Sequence, residues 1–203
     1  MRRFFLRDFI ITYSIEDRLY LNITNRCTNN CAFCIRKTEH GVGYNLWLQK
    51  EPSAEEVMAS LRGLEMDAYS EIIFCGYGEP LLRMDLVIEV AGGIKREYGK
   101  IIRINTNGHA DLIHGPGNAQ KLKGLVDRIN ISLNAQDSVK YREICRPAFG
   151  AGTYQAVLNF SKSCDGIIPD VVLSVVDWPG VDTVKCREIA QGLGMELRVR
   201  KSS

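Results

Sequence analysis

The chain has 203 residues, of which 45% are hydrophobic and 25% are charged, a balance typical of a soluble globular protein. Its 26 basic and 24 acidic residues nearly cancel, so the composition predicts no strong field for nucleic acid or an anionic membrane surface. No apolar run is long enough to cross a bilayer, and Arg7 and Asp8 interrupt the apolar start before a signal-peptide core forms. We therefore expect a cytoplasmic protein.

The seven cysteines are an odd number, and three of them fall within eight residues. A disulfide framework has an even number of cysteines and belongs to small secreted domains. In a cytoplasmic protein, clustered cysteines indicate metal binding or redox chemistry instead.

Strand-like and helix-like stretches alternate along the chain. The predicted strands are residues 18–24, 71–75, 101–105, 128–133, 170–176 and 195–200, with an extra edge strand or hairpin within 1–17. A helix opens at Ser53, where Glu56 completes a capping box, and further helices are predicted at 86–98, 120–125, 137–144, 154–163 and 182–193. This order predicts an α/β fold with a mostly parallel sheet, for which a doubly wound sheet and a partial (β/α)6 barrel both fit.

Polar and glycine-rich segments follow the predicted strands. They are residues 25–34, 76–80, 106–108 and 177–180, together with Asn134. Because the carboxyl ends of parallel strands lie at one edge of a sheet, we expect these segments to converge there on a functional site.

The cysteine spacing after the first of these strands is Cys27-x3-Cys31-x2-Cys34. Thiolates at short spacing can hold an iron–sulfur cluster, and three ligands leave one iron open to another molecule. Phe33 either covers such a cluster or packs as an ordinary loop aromatic. A structural zinc site remains an alternative, with His40 as the fourth ligand.

The pattern Cys27, Cys31, Phe33, Cys34 resembles the motif Cys-x3-Cys-x-aromatic-Cys of the radical S-adenosylmethionine (SAM) superfamily. The resemblance implies a partial (β/α)6 TIM-like barrel in a single domain of residues 1–203, with a barrel core of 18–203. It also implies a [4Fe–4S] cluster that binds SAM and reductively cleaves it to a 5′-deoxyadenosyl radical for hydrogen abstraction. No cysteine-rich stretch follows the last strand, so we expect one cluster.

The loop Gly76-Tyr77-Gly78-Glu79-Pro80 follows the next predicted strand. Read alone it is an ordinary Gly-Pro turn, although its glycines would let a ligand approach the backbone closely. It is similar to the Gly-Gly-Glu-Pro motif that holds the SAM amino group in the superfamily, with Tyr77 in place of the first glycine. The resemblance implies that this loop binds SAM.

Further cofactor candidates end the third and fourth of these strands. Asn105, Thr106 and Asn107 offer groups for ribose hydroxyls or a carboxylate, with a plain turn as the alternative. Ser132 and Asn134 are two residues apart, so we expect both to point to one face of a strand.

The wider pattern resembles radical SAM proteins that are associated with TatD-family nucleases. This resemblance implies a link to such a nuclease and a reductant such as flavodoxin or ferredoxin, with the substrate or partner protein unidentified. One alternative is an activase that installs a glycyl radical on a partner; another is a small-molecule modifier of the deazapurine-synthase kind; a third is a zinc-binding interaction module.

Several other polar residues have no assigned role. They are Arg142, Cys145, Arg146, His109 and His114. An arginine here can bind a carboxylate and a histidine can transfer a proton, but surface and loop positions are the simpler interpretation.

Overall fold

The computed structural model describes residues 10–38 and 41–201. Within them, seven strands form one sheet in sequential order. The strands are β1 (Thr12–Ile15), β2 (Arg18–Leu21), β3 (Glu71–Phe74), β4 (Ile101–Thr106), β5 (Arg128–Ser132), β6 (Asp170–Asp177) and β7 (Glu196–Lys201). β1 pairs antiparallel with β2, and every later strand pairs in parallel with the one before it.

This strand order distinguishes the two architectures that the sequence left open. A doubly wound sheet reverses its strand order at a switch point, where its ligand binds. The order from β1 to β7 has no reversal, and each parallel strand lies beside its sequence neighbour. The fold is therefore α/β, with β2 to β7 forming a partial (β/α)6 TIM-like barrel.

Helices connect the parallel strands. They are α1 (Ala54–Leu61), α2 (Met84–Tyr98), α3 (Ala110–His114), α4 (Asn118–Lys121), α5 (Ser138–Cys145), α6 (Thr153–Cys164) and α7 (Thr183–Gly192), with short 3-10 turns at Ile35–Lys37, Met66–Ala68, Pro80–Arg83 and Gly150–Gly152. The predicted capping box of α1 is confirmed, since the Ser53 hydroxyl accepts from the Glu56 amide and the Glu56 carboxylate accepts from the Ser53 amide.

Two details differ from the sequence prediction. The helix expected at 120–125 is the earlier turn α4, because the chain leaves the helix after Lys121 and passes through a left-handed Gly124. The helix α3 was not predicted, since five residues are too few to display a helical period.

One hydrophobic cluster runs from Leu19 to Leu197 and packs the helices against the sheet. Alternate strand residues such as Ile72, Ile104 and Leu173 belong to it. The side chains between them project to the opposite side, which we call the inner face. Members of the inner face include Cys75, Asn105, Ser132, Ser174, Arg198 and Arg200.

The amino end of the inner face is closed by an ion cluster around Glu71, which is 3% exposed. Its carboxylate lies 3.0 Å from Arg18, 3.2 Å from Arg103 and 3.7 Å from Arg128. A buried carboxylate needs such partners because desolvation of a lone charge is costly. The three arginines therefore supply the charge partners that Glu71 needs at the barrel end away from the loops.

Parts of two sequence predictions lie outside the described residues. These are residues 1–9 of the expected amino-terminal edge strand and His40, the fourth ligand of the zinc alternative. In the described part, β1 and β2 form a hairpin whose turn includes Glu16 at φ +53°. No described helix has the length and apolar character that a membrane crossing requires.

Candidate functional site

The cysteine loop leaves the carboxyl end of β2 and carries Cys27, Cys31 and Cys34 as free, half-buried thiols. The amide of Asn29 donates to Sγ of Cys27 at 3.4 Å, and Nε of Arg36 donates to Sγ of Cys34 at 3.3 Å. Such donors favour negative charge on sulfur, the form in which cysteine binds metals.

Burial raises the pKa of Cys27 to about 11, and the nearby Glu79 carboxylate adds to this shift. The free thiol is consequently protonated at neutral pH. A bound metal ion reverses this preference, because coordination deprotonates a thiol outright. The donor set of this loop thus matches iron–sulfur ligation in its chemistry.

Cys31 contacts a further cysteine at the end of α5. Backbone bonds dock the loop there, from Asn30 N to Cys145 O at 2.9 Å and from Ala32 N to Ile144 O at 2.7 Å. The two thiols are hydrogen-bonded, which lowers the pKa of Cys31 and raises that of Cys145. Over residues 10–38 and 41–201, no three His, Cys, Asp or Glu side chains are gathered closely enough to hold a metal ion.

The loop after β3 packs tightly against the start of the cysteine loop. A Cβ on Gly78 would lie 2.4 Å from the carbonyl oxygen of Thr24 and 2.5 Å from that of Arg26. A Cβ on Gly76 would lie 2.1 Å from Oδ1 of Asn22. Both glycines are required for this close approach, which packs the loop after β3 directly against the cysteine loop.

Glu79 is the buried acceptor of this loop, with 3% of its surface exposed. Its carboxylate accepts from the Thr106 hydroxyl at 2.7 Å, the Asn107 amide at 2.6 Å and the Leu81 amide at 3.0 Å. Burial raises its pKa to about 7, against these hydrogen bonds, which lower it. A carboxylate has roughly four acceptor positions, so about one remains for a ligand.

Asn107 joins three loops at the carboxyl edge. Its backbone binds Glu79, and its side-chain amide donates to Oγ1 of Thr28 at 2.8 Å and lies 3.8 Å from Sγ of Cys27. The segments after β2, β3 and β4 therefore converge, as the parallel-sheet argument predicted.

His109 is a residue whose place sequence reasoning missed, since its position in a loop suggested no role. Its side chain is fully buried, with Nδ1 2.8 Å from Oγ1 of Thr28 and Nε2 2.9 Å from the Tyr141 hydroxyl. Burial lowers the pKa of His109 to about 4, so the ring is neutral at pH 7. Its two hydrogen bonds connect the cysteine loop to α5.

Two candidate aromatic residues pack within the protein. Tyr77 lies in a small cluster with Tyr13 and Leu46, its ring 5.1 Å from that of Trp47. Phe33 lies 5.7 Å, ring to ring, from Trp178 in the loop after β6. Sequence reasoning did not single out Trp178. The one signal that could have found it is its place directly after a predicted strand.

The remaining candidates lie on either side of the end of β5. Ser132 ends that strand beside Ser174 of β6, on the inner face. Asn134 lies beyond the strand in a left-handed conformation, φ +61°, and its side-chain amide donates to Sγ of Cys145 at 3.5 Å. The expectation that Ser132 and Asn134 project from one strand is therefore wrong, because the chain turns between them.

Asn105 projects from β4 onto the inner face beside Cys75, to which it is hydrogen-bonded. Its Oδ1 atom is buried and has no hydrogen-bond partner among residues 10–38 and 41–201, so its acceptor capacity is unused there. Arg142 and Arg146 have exposed side chains at the end of α5. His114 bonds the carbonyl oxygen of Leu81 at 2.7 Å and thereby ties α3 to the Glu79 loop.

Comparison with known proteins identifies the group to which this site belongs. The model of the radical SAM superfamily matches residues 21–191, a span that contains the cysteine loop, the Glu79 loop and Asn107. The chain belongs to the radical SAM superfamily. It is therefore an enzyme, and the cofactors of the family are a [4Fe–4S] cluster and SAM.

Curated relatives carry one recurring name. A "Probable GTP 3′,8-cyclase" of Methanococcus maripaludis is 38% identical over 61% of this chain and 38% of its own length. The GTP 3′,8-cyclase of Lactiplantibacillus plantarum is 32% identical over 72% of this radical SAM chain and 42% of its own. The chain thus spans about two-fifths of the length of these relatives.

Solved structures share the fold at low sequence identity. Streptococcus suis SuiB bound to the precursor peptide SuiA matches 95% of this chain and 40% of its own with a TM-score of 0.72 at 16% identity. The FeFe-hydrogenase maturase HydG of Carboxydothermus hydrogenoformans matches 92% of this chain and 44% of its own with a TM-score of 0.66 at 19% identity. Both support the partial barrel assignment.

Proposed function

We propose that this radical SAM chain reductively cleaves SAM at a [4Fe–4S] cluster held by Cys27, Cys31 and Cys34 and uses the product to abstract hydrogen from a substrate. When bound, the cluster supplies the electron that splits SAM into methionine and a 5′-deoxyadenosyl radical. The observation that carries the proposal is the convergence of Glu79 and Asn107 on the cysteine loop within the family match.

The three thiols differ in the hydrogen-bond donors that reach their sulfur atoms. Cys27 and Cys34 already receive N–H groups, from Asn29 and Arg36, that stabilise thiolates. Cys31 accepts a hydrogen bond from the Cys145 thiol, which lowers its pKa and likewise favours the thiolate.

Around the thiols, the chain would bind and orient SAM. Glu79 is held in place by internal bonds and keeps about one acceptor position for an ammonium group. Gly76, Gly78 and Pro80 fix the shape of that loop, and the unpartnered Oδ1 of Asn105 offers a second acceptor. Thr106 and Asn107 position Glu79 and the cysteine loop. Ser132 and Asn134 would contribute further polar groups for SAM at the carboxyl edge of the sheet.

A reconstitution experiment tests the proposal. Anaerobic loading with iron and sulfide should give about four of each per chain, and a reductant should then release 5′-deoxyadenosine from SAM. Cys27→Ala should abolish both, whereas Cys164→Ala, a buried cysteine of α6, should preserve both. SAM cleavage that survives in Cys27→Ala would refute the proposal, and one zinc without sulfide would favour the zinc module.

GTP 3′,8-cyclase chemistry is the narrower candidate, favoured by the relatives of that name at 32–38% identity. The reconstituted protein, SAM and GTP should then yield a new GTP-derived product by liquid chromatography and mass spectrometry. If GTP is unchanged while SAM is cleaved, the substrate is another molecule. An activase would instead place a glycyl radical on a partner protein, which electron paramagnetic resonance detects.

The proposal extends to the domain organisation, the cellular location, the electron donor and a partner protein. We place residues 1–203 in one cytoplasmic radical SAM domain, supplied with electrons by flavodoxin or ferredoxin. The link with a TatD-family nuclease stays a prediction from the resemblance of the sequence. Co-purification of the reconstituted chain with a TatD-family nuclease would test it.

A further inference from the structure

The arginines of the inner face fall into two groups with different surroundings. At the amino end, Arg18, Arg103 and Arg128 are each ion-paired with Glu71. Near the carboxyl end of β7, Arg198 and Arg200 have neither an ion pair nor a hydrogen-bond partner within the described ranges 10–38 and 41–201. Structural ion pairing therefore explains the first group and leaves the second without a role.

The strand register fixes where the second group points. Leu197 packs on the helix side of β7, in the main hydrophobic cluster, so Arg198 and Arg200 project to the inner face. Arg198 lies beside Ser174 of β6, which lies beside Ser132 of β5. Two hydroxyls and a guanidinium thus form a row across three neighbouring strands, roughly 5 Å apart.

The surroundings of Arg200 connect this row with the cysteine loop. Partial loss of solvent around its guanidinium lowers its pKa, although the side chain keeps an exposed surface. The thiols of Cys75 and Cys31 oppose this shift and the charge of Arg198 adds to it, so these groups lie near Arg200. Arg198 and Arg200 are neighbouring cations with no counter-ion among the described residues, and both keep exposed surface that a ligand can reach. Such a pair favours a bound anion.

We propose that Arg198 and Arg200 bind an oxyanion, carboxylate or phosphate, of the substrate that the barrel takes. The proposal rests on the radical SAM function above and adds to it the chemical class of the substrate. Guanidinium groups bind such oxyanions through paired N–H donors. Two arginines on alternate residues lie roughly 7 Å apart along the strand, which suits a ligand with more than one anionic group.

Lys201 provides a matched control, since it follows Arg200 on the same strand but projects to the opposite side. Lys201→Gln and Arg200→Gln remove the same charge at neighbouring positions. If the anion binds at a specific site, Arg200→Gln should weaken binding more than Lys201→Gln. A diffuse electrostatic effect should weaken binding equally in both variants.

Calorimetric titration of the reconstituted protein with tripolyphosphate and with citrate tests the proposal. We expect the wild type to bind at least one of them, with the tighter ligand identifying phosphate or carboxylate. Arg198→Gln and Arg200→Gln should weaken binding about ten- to a hundredfold, Arg200→Lys should weaken it less, and Lys201→Gln should change it less than twofold. Circular dichroism melting would verify that each variant is folded.

Three results would overturn the inference. They are no binding of either anion, equal weakening in Arg200→Gln and Lys201→Gln, and loss of anion binding when SAM saturates the protein, which would assign the arginines to SAM. Release of 5′-deoxyadenosine by the same wild-type sample is measured separately. Its absence would refute the proposed function without deciding the anion site.

Discussion

The backbone amide of Asn107 lies 2.6 Å from Oε2 of Glu79, and this hydrogen bond joins the loop after β4 to the loop after β3. Through its side chain, Asn107 extends the connection to Thr28 in the cysteine loop. Three segments that are distant in sequence thus share one polar junction. The strength of that junction depends on the ionisation of the buried Glu79 carboxyl group.

Glu79→Gln should change how stability depends on pH. The folded-state pKa of Glu79, about 7, exceeds its ordinary value of 4.5, so the folded protein holds a proton that the unfolded chain has lost between these values. Its stabilising contribution is present below pH 4.5 and is lost as pH rises through 7. The unfolding free energy of wild type relative to Glu79→Gln should fall by about 3 kcal/mol from pH 4.5 to pH 8.

Urea unfolding at several pH values measures this effect. Glu188→Gln, on the exposed side of α7, is the control and should give no such trend. A difference between wild type and Glu79→Gln that is constant with pH would contradict the prediction.

His109→Gln should produce the opposite trend. Burial lowers the folded-state pKa of His109 from 6.5 to about 4, so the unfolded chain binds the proton first as pH falls. The stability that wild type gains from neutral His109 is present above pH 6.5 and is lost as pH falls through 4. The variant should therefore lose about 1–3 kcal/mol at pH 8, where its bonds to Thr28 and Tyr141 are broken, and less at pH 4.5.

Thermal and urea unfolding of His109→Gln at both pH values would check this. His114→Gln also removes one histidine hydrogen bond, to the Leu81 carbonyl, but from an exposed side chain, and serves as the comparison. If the unfolding free energies of both variants depend on pH in the same way, the buried, neutral state of His109 does not contribute the predicted stability.

Gly78→Ala should destabilise the protein and loosen the cysteine loop. The new methyl group would lie 2.4 Å from the carbonyl oxygen of Thr24, so one of the two loops must move. We expect a loss of about 1–3 kcal/mol and reduced iron retention after reconstitution. Gly192→Ala, near the end of α7, has open space around the added methyl and should be neutral or slightly stabilising.

Cys145→Ser distinguishes a neighbour of the cluster from a ligand. The Cys31 thiol is hydrogen-bonded to Cys145, but only Cys31 belongs to the motif after β2. Reconstituted Cys145→Ser should retain about four irons per chain, while Cys31→Ser should lose most of them. Equal loss in both variants, measured by iron and sulfide analysis, would mean that Cys145 is itself a ligand.

The local patterns of the sequence determined the secondary structure and the chemistry of the cysteine loop. Periodicity located β2 to β7 and the longer helices, and the Ser53 capping box marked the start of α1. These features depend on residues close together in the chain, so they can be read from sequence. The spacing of Cys27, Cys31 and Cys34 is local in the same sense, which is why it indicated a cluster before any strand pairing was known.

Tertiary structure alone decided the strand order, the burial of His109 and the contact of Cys31 with Cys145. Each depends on the packing of segments that are far apart in sequence, and no local period encodes it. The same holds for Arg198 and Arg200, which read as ordinary charges until the register of β7 placed them on the inner face. The sequence determines which groups are present, and the folding of the sheet determines which of them meet, because contacts across a barrel depend on all its strands.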